Sequence, residues 1–299
     1  MTSLTNIDDE KAVAVIESRR GSHIWHVIRR DPLAMASIAI IIIFLLIAIF
    51  APVLAPYPEQ GAGKVSPDTL YLPPSMAHPF GTDGLGRDVL SRVMYGARPA
   101  FLIPLMVVVA AVAIGAPLGA IAGYKGGWID EVIMRVTDLF LAFPALLLAM
   151  AITAALGRGL QNAAIALIIS WWPWYTRLVR GIAISLRERP YVEAAQSIGV
   201  RDSVILWRHI LPNSISPILV QVTVDMGTVI LVAGGLAFIG MGTQPPAADW
   251  GLMISTGRTS ILNQWWISLF PAVAIFILIL AFNLLGDVLR DILDPRQYR

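Results

Sequence analysis

One carboxylate stands inside an otherwise apolar run: between roughly Ile215 and Ile239 the sequence is interrupted only by Asp225. Gln221, one turn earlier, and Thr228, nearly one turn later, are predicted to share its helix face. A charge at the centre of a bilayer costs about 2.5–3.5 kcal/mol on insertion scales, so Asp225 should face a cavity or a partner. Two readings stay open: a hydrated translocation path, or a protonated or paired residue of the bundle. Little else could do chemistry. The chain has no cysteine, and its four histidines (His23, His26, His78, His209) are scattered, which leaves no zinc-site pattern. His23 and His26 lie at i, i+3, but a metal pair there would lack a third ligand. The single Gly-Lys pair, Gly63-Lys64, has Pro58 and Val65 where a phosphate-binding loop needs Gly and Ser or Thr. The spacing Gly81-Gly84-Gly86 is no dinucleotide fingerprint either, and no nucleophile elbow or metalloprotease motif appears. Any chemistry linked to this chain should occur on a partner.

The elements that position Asp225 are membrane helices. Of 299 residues 57% are apolar and 14% charged, with a mean hydropathy of +0.71; soluble domains carry about 25% charged residues. A spanning helix needs about 20 apolar residues. Runs of that order are Leu33–Val53, Ala100–Tyr124, Leu139–Leu156, Leu160–Thr176, Ile215–Ile239 and Trp265–Leu285, which predicts six transmembrane helices in an all-α protein. The first run is too long and too late for a cleaved leader and reads as a retained anchor. With a cytoplasmic N-terminus, 16 of the 22 basic residues fall on the cytoplasmic side and six outside. The positive-inside rule therefore places both termini in the cytoplasm. The net charge of +2 gives no reason to expect a nucleic acid. Expected boundaries are a cytoplasmic segment 1–32 with a helix at headgroup level, a first span 33–54, an external loop 55–98, a five-helix core 99–290 and a tail 291–299. Asp88 is a candidate cap for a helix carrying Val89, Leu90, Val93 and Met94.

Between Arg177 and Asn213 lies a polar island with six basic residues. Tyr191, Ala194, Ala195 and Ile198 fall at i, i+3, i+4, i+7, one face of a short helix. Pro190 suits its first turn, and Gly199 can adopt the left-handed conformation that ends it. Asp202 or Ser203 can cap a second helix, expected to stop near Leu211 because Pro212 follows. The island thus reads as a cytoplasmic helix–turn–helix over 181–213. Gly115, Gly119 and Gly123 at i, i+4, i+8, and Gly227, Gly234, Gly235, Gly240 and Gly242 further on, offer seams for close helix approach, either within the subunit or against another.

Tyr191-Val192-Glu193-Ala194-Ala195-Gln196-Ser197-Ile198-Gly199 followed by Leu211-Pro212 resembles the E-A-A-x-x-x-G…L-P loop of permease subunits from bacterial and archaeal ABC importers. Gly86–Arg92 and Tyr95–Arg98, Gly123–Trp128 with Met134–Asp138, Phe238–Pro246 with Trp250-Gly251, and Phe282–Asp287 through Arg296 are similar to the C-type permeases of dipeptide and oligopeptide transporters, within the peptide/nickel family. The resemblance covers about Arg29 to Arg296. It departs at His209, where a branched apolar residue is usual, and at Ala233-Gly234-Gly235, where many relatives carry a Glu. It implies a type I importer permease in the cytoplasmic (inner) membrane, paired in the bilayer with a second, B-type permease, two cytoplasmic ATPase subunits and an external solute-binding protein. ATP and Mg²⁺ would be held by the ATPases, with no cofactor on this chain. The helix Tyr191–Ile198 would dock on an ATPase, Glu193 being polar, Ala194 and Ala195 admitting close approach, Gly199 turning the chain, and Leu211-Pro212 passing motion to the fifth span. Relatives import other solutes, including nickel chelates, glutathione and opine-like compounds. A self-sufficient ion-coupled carrier using Asp225 is the other class; it would need inverted repeats, and no matching halves are found.

Overall fold

The structure, a computed structural model, describes residues 31–293. The expected headgroup-level helix, His23, His26 and the end of the tail lie outside those residues. Among the described residues the regular structure is all helical, joined by irregular segments of which 63–88 is the longest, with one isolated bridge, Thr82 to Asp88, in place of any sheet.

Helix α1, Pro32–Leu54, starts at Asp31, whose carboxylate accepts from the amides of Leu33 (2.8 Å) and Ala34 (3.3 Å). Pro52 in its last turn has no N–H to give the Ala48 carbonyl. That carbonyl accepts instead from Arg98 Nε at 2.8 Å, and Arg98 also reaches the Ile49 carbonyl at 3.4 Å. Of the expected external loop 55–98, residues 55–88 fold around short helix α2, Pro58–Ala62, whereas 89–98 belong to the next helix. Asp88 organises this cap. Its carboxylate accepts from the Ser91 amide (2.8 Å) and hydroxyl (2.7 Å) and meets His78 Nδ1 at 2.9 Å. Asp83 accepts from the Arg87 amide (3.0 Å) and Nε (2.8 Å), and Arg92 hydrogen-bonds the carbonyls of Pro246 (3.3 Å) and Ala247 (3.1 Å). Arg92 is buried, so its charge is matched by backbone dipoles as well as by Asp83 3.9 Å away.

Helix α3, Val89–Lys125, is one 37-residue element, so the expected split between a loop helix and a second span does not occur. Pro99, Pro104 and Pro117 are accommodated within it. The expected third span, Leu139–Leu156, is broken. Helix α4, Gly127–Leu141, and helix α5, Ala145–Leu156, meet at 86°, with Pro144 between them. A proline disfavours helical geometry in the residue before it, here Phe143, and the apolar count of the segment is blind to that. Helix α6, Leu160–Arg187, is 28 residues long, or about 42 Å at 1.5 Å per residue. Its Arg180 pairs with Asp130 at 2.5 and 2.6 Å and its Arg177 with Asp138 at 2.6 Å, tying α4 to its flank. Four helical segments (α1, α3, residues 202–238 and 266–292) are long and apolar enough to cross a membrane, and the bent pair adds a fifth. The remaining expected span, Leu160–Thr176, lies within α6, which is not among these segments because the polar Gln161 and Asn162 at its start and Arg177 and Arg180 beyond it lower its mean hydropathy.

The most extensive helix contact joins α3 to α6. Gly115, Gly119 and Gly123 lie directly on the α6 backbone at Trp172, Thr176 and Arg180. This seam is therefore internal to the subunit. Helix α7, Pro190–Ser197, and helix α8, Asp202–Ile205, form the island, and helix α9, Leu211–Phe238, follows through a π-helical turn at Leu206–Ile210. Helix α10, Trp250–Gly257, is capped by Asp249, which accepts from the amides of Gly251 (2.9 Å) and Leu252 (3.3 Å) and from the Thr243 hydroxyl (2.8 Å). Burial holds the Asp249 carboxyl above the usual carboxylate range, and these bonds oppose that shift. Helix α11, Trp266–Leu293, closes the bundle against α9 and α1. Of the α9 glycines, Gly234 receives Gly251 of α10 on its backbone and Gly227 faces Ile279 of α11, both within the subunit.

Candidate coupling site and intramembrane polar site

Helix α7 begins at Pro190 and ends in a Schellman turn. The Gly199 amide donates to the Gln196 carbonyl and the Val200 amide to the Ala195 carbonyl, both at 3.0 Å. Gly199 sits at φ +79°, with no heavy atom within 4 Å of where a side chain would start. The helix presents two faces. Val192 and Ala195 are buried against the subunit, whereas Tyr191, Glu193, Ala194 and Ile198 face outward. Ile198 is 80% exposed and Tyr191 45%, its ring 6.0 Å from that of His209. The periodicity puts Ala195 on the same face as Ala194; in the structure it turns inward, 9% exposed.

Neither Asp202 nor Ser203 caps the second helix. Arg201 occupies that position, with no side-chain cap bond. Asp202 is engaged elsewhere: its Oδ1 accepts from the Tyr124 hydroxyl at 3.0 Å and its Oδ2 lies 3.5 Å from Lys125 Nζ. The expected stop at Leu211 is also absent. The chain stays helical because the turn widens: the Leu211 amide donates to the Leu206 carbonyl, five residues back. Pro212 then falls at the start of α9, where its missing N–H is tolerated. Two carbonyls near it accept from side chains instead, His209 from Asn213 Nδ2 (2.5 Å) and Ile210 from Ser214 Oγ (2.9 Å). Leu211-Pro212 is thus a joint inside a continuous helical path from Asp202 to Phe238.

The intramembrane trio separates. Asp225 is 6% exposed and faces α6, where Tyr175 and Trp171 stand beside it. Its Oδ1 accepts from Gln221 Nε2 at 3.0 Å. Its Oδ2 and the Tyr175 hydroxyl are both buried with no hydrogen-bond partner. Gln221 also lines an open cleft of about 530 Å³ bordered by Ser216, Asp287 and Arg290. Thr228 is turned outward and bonds its own helix at the Val224 carbonyl (3.2 Å). Sequence reasoning missed Tyr175 and Trp171, which lie in a different predicted span; their aromatic rings near a lone carboxylate leave no local spacing signal.

Several long apolar helices around a polar joint, with a short helical hairpin at one end, define a polytopic importer permease fold. The chain matches a chain of the MetNI methionine ABC transporter in inward-facing conformations with a TM-score of 0.56 at 18% identity, over 68% of this chain and 97% of that one. Residues 115–299 match the family described as binding-protein-dependent transport system inner membrane component, and residues 20–74 match the N-terminal TM domain of oligopeptide transport permease C. The chain belongs to that family of ABC importer permeases. It is 45% identical to the dipeptide transport system permease protein DppC of Alkalihalophilus pseudofirmus, over 90% of this chain and 88% of the relative. It is 44% identical to the probable D,D-dipeptide transport system permease protein DdpC of Escherichia coli K12, over 92% of each. It is also 44% identical to a glutathione transport system permease protein, GsiD, of Escherichia coli, over 91% of this chain and 89% of the relative.

Proposed function

We propose that this chain, with a second permease, forms the path by which a short peptide crosses the cytoplasmic membrane, and that the α7–α8 hairpin couples that path to ATP hydrolysis on partner ATPase subunits. The observation that carries the reading is the two-faced helix α7. Its inner side is packed into the subunit, while Tyr191 and Ile198 offer an apolar outer side to solvent or a partner. Arg187, Arg189, Arg201 and Arg208 flank it in sequence, as suits a cytoplasmic loop. Both termini are then cytoplasmic and the 55–88 cap is external, where a solute-binding protein would deliver the substrate. This chain supplies no catalysis of its own; ATP and Mg²⁺ belong to the ATPases. Peptide cargo is supported by the relatives, which carry names for dipeptide, D,D-dipeptide and glutathione transport, all short peptides or peptide-like solutes.

The test exploits the absence of cysteine. A single cysteine at Ile198 should cross-link to an ATPase subunit in the assembled importer, and an impermeant thiol reagent applied to intact cells should label a cysteine near Asp68 but not one near Ile198. Labelling at Ile198 from outside, or no cross-link in an importer that still transports, would refute the assignment.

A further inference from the structure

The Gly123-Tyr124-Lys125-Gly126-Gly127-Trp128 motif has no role in the coupling scheme so far, yet it lies against the coupling hairpin. Tyr124, near the end of α3, is 5% exposed, and its hydroxyl is fully used. It donates to Asp202 Oδ1 at 3.0 Å and accepts from Gln196 Nε2 at 3.2 Å. Gln196 belongs to α7 and Asp202 to α8, so one hydroxyl touches both arms of the hairpin. Two further contacts converge on the same place. Lys125 Nζ lies 3.5 Å from Asp202 Oδ2, and Arg187, the last residue of α6, donates to the Tyr124 carbonyl at 3.3 Å. The glycines that follow explain the motif's shape. Gly126 and Gly127 take φ values of +65° and +57°, which turn the chain sharply from α3 into α4 and leave a cleft of about 400 Å³ beside Gln196 and Asp202.

We propose that Tyr124 is a positioning residue for coupling: its hydroxyl clasps α7 to α8 and holds both to α3, so that displacement of the hairpin moves α3 as well as α9. The proposal rests on the docking of the hairpin on an ATPase argued above. The geometry favours a specific clasp over general packing, because the phenol ring is buried on its own account and the hydroxyl makes two bonds of matched polarity, one donated and one accepted. Without it the hairpin keeps its attachment to α9 through the continuous helix but is held to α3 only by the exposed Lys125–Asp202 pair and by packing, and α7 loses its bond to α3. Motion of the hairpin would then be divided between productive movement and slack.

The experiment uses the complete importer with its binding protein, reconstituted in liposomes, with Tyr124→Phe as the variant. Phenylalanine keeps the buried ring and removes the two bonds. We expect solute imported per ATP hydrolysed to fall by at least about fivefold, the factor set by the loss of one of the two net hydrogen bonds, with ATP hydrolysis persisting. Asp202→Asn, which keeps an acceptor for the hydroxyl, should retain most of the wild-type ratio. In the same importer, nitroxides on Trp128→Cys and Ser197→Cys should give one narrow distance distribution that broadens in Tyr124→Phe. An unchanged ratio in Tyr124→Phe with an unchanged distribution overturns the clasp. Failure of docking is distinguishable: it is a missing ATPase cross-link at Ile198 in the otherwise wild-type chain, and that result would overturn the coupling role of Tyr124 along with the docking.

Discussion

Adding one methyl group at Gly123 should be enough to force α3 and α6 apart. A Cβ built there lies 2.5 Å from the Arg180 carbonyl oxygen and 2.7 Å from the Ala183 Cβ, against ordinary contact from about 3.4 Å. Both obstacles belong to α6, one to its backbone and one to a side chain with no rotamer to change. Helix α6 must therefore withdraw by about 0.9 Å. The Arg180–Asp130 pair, at 2.5 and 2.6 Å, stands at the same level and would be dragged with it. Overpacking of this kind costs about 1–3 kcal/mol. Gly181→Ala, one residue beyond Arg180 on the same helix, is the control: no heavy atom lies within 4 Å of its added methyl. There the loss of glycine's freedom in a helix should stabilise by about 0.5–1 kcal/mol. The two substitutions are chemically identical and are expected to act with opposite sign. Thermal unfolding of the purified importer in detergent should show Gly123→Ala melting several degrees below wild type and Gly181→Ala at or above it. Equal melting temperatures for the two variants would refute the claim that the glycine seam is the internal α3–α6 contact.

Three further outcomes follow from single observations. Gly199→Ala should destabilise the hairpin by about 1–2 kcal/mol, and Gly199→Val by more, because φ is +79° while space is free; proteolysis of the loop in native membranes reports it. Arg98→Met should cost about 1–3 kcal/mol by stranding the carbonyls of Ala48 and Ile49 near Pro52, read from the melting temperature of the purified importer; an unchanged value would show that those carbonyls find other donors. Asp225→Asn should transport better than Asp225→Leu, since an amide keeps a hydrogen-bonding group beside Gln221 and Tyr175; intact assembly and uptake in the Leu variant would remove Asp225 from both the path and the packing.

What the sequence disclosed depended on whether the signal was local. The cap at Asp88 and the close-packing seam at Gly115, Gly119 and Gly123 follow from spacing alone, since each concerns neighbours on one helix. The partner of the seam does not, because nothing in the spacing points to α6. Pro144 and Pro212 mark opposite errors. Pro144 was hidden within an apolar count and breaks a span, whereas Pro212 looked like a stop and is absorbed by a widened turn. A proline removes one donor and crowds the turn before it, but whether the chain bends or rewinds depends on which side chains can serve the freed carbonyls. At Pro212 the turn widens, with the Leu211 amide reaching the Leu206 carbonyl, and Asn213 and Ser214 add side-chain bonds to the neighbouring His209 and Ile210 carbonyls. Asp202 and Ser203 both suit a cap by type, but the Tyr124 hydroxyl that claims Asp202 lies 78 residues away in sequence. The exposed face of α7 was half legible: Tyr191 and Ile198 point outward, but Ala195 shows that a short helix can bury a residue that a four-position stripe assigns to the other side.

The unbroken helical path from Asp202 to Phe238 makes the segment a lever. Its 37 residues measure about 55 Å at 1.5 Å per residue, and Asp225 stands about 35 Å from the hairpin end. A rod of that length turns a small angle at one end into a large arc at the other. A tilt of about 5° pivoting near Gly227 would carry the hairpin end, about 37 Å away, sideways by about 3 Å, comparable to a helical rise of two residues. Its pivot can be located by where it is gripped: by Gly251 directly on the Gly234 backbone, with Ile279 of α11 in ordinary contact at Gly227, both beyond Asp225. The far half of the lever is therefore clamped and the near half swings, so the largest excursions should fall between Asp202 and Gln221, along the cleft that Gln221 lines.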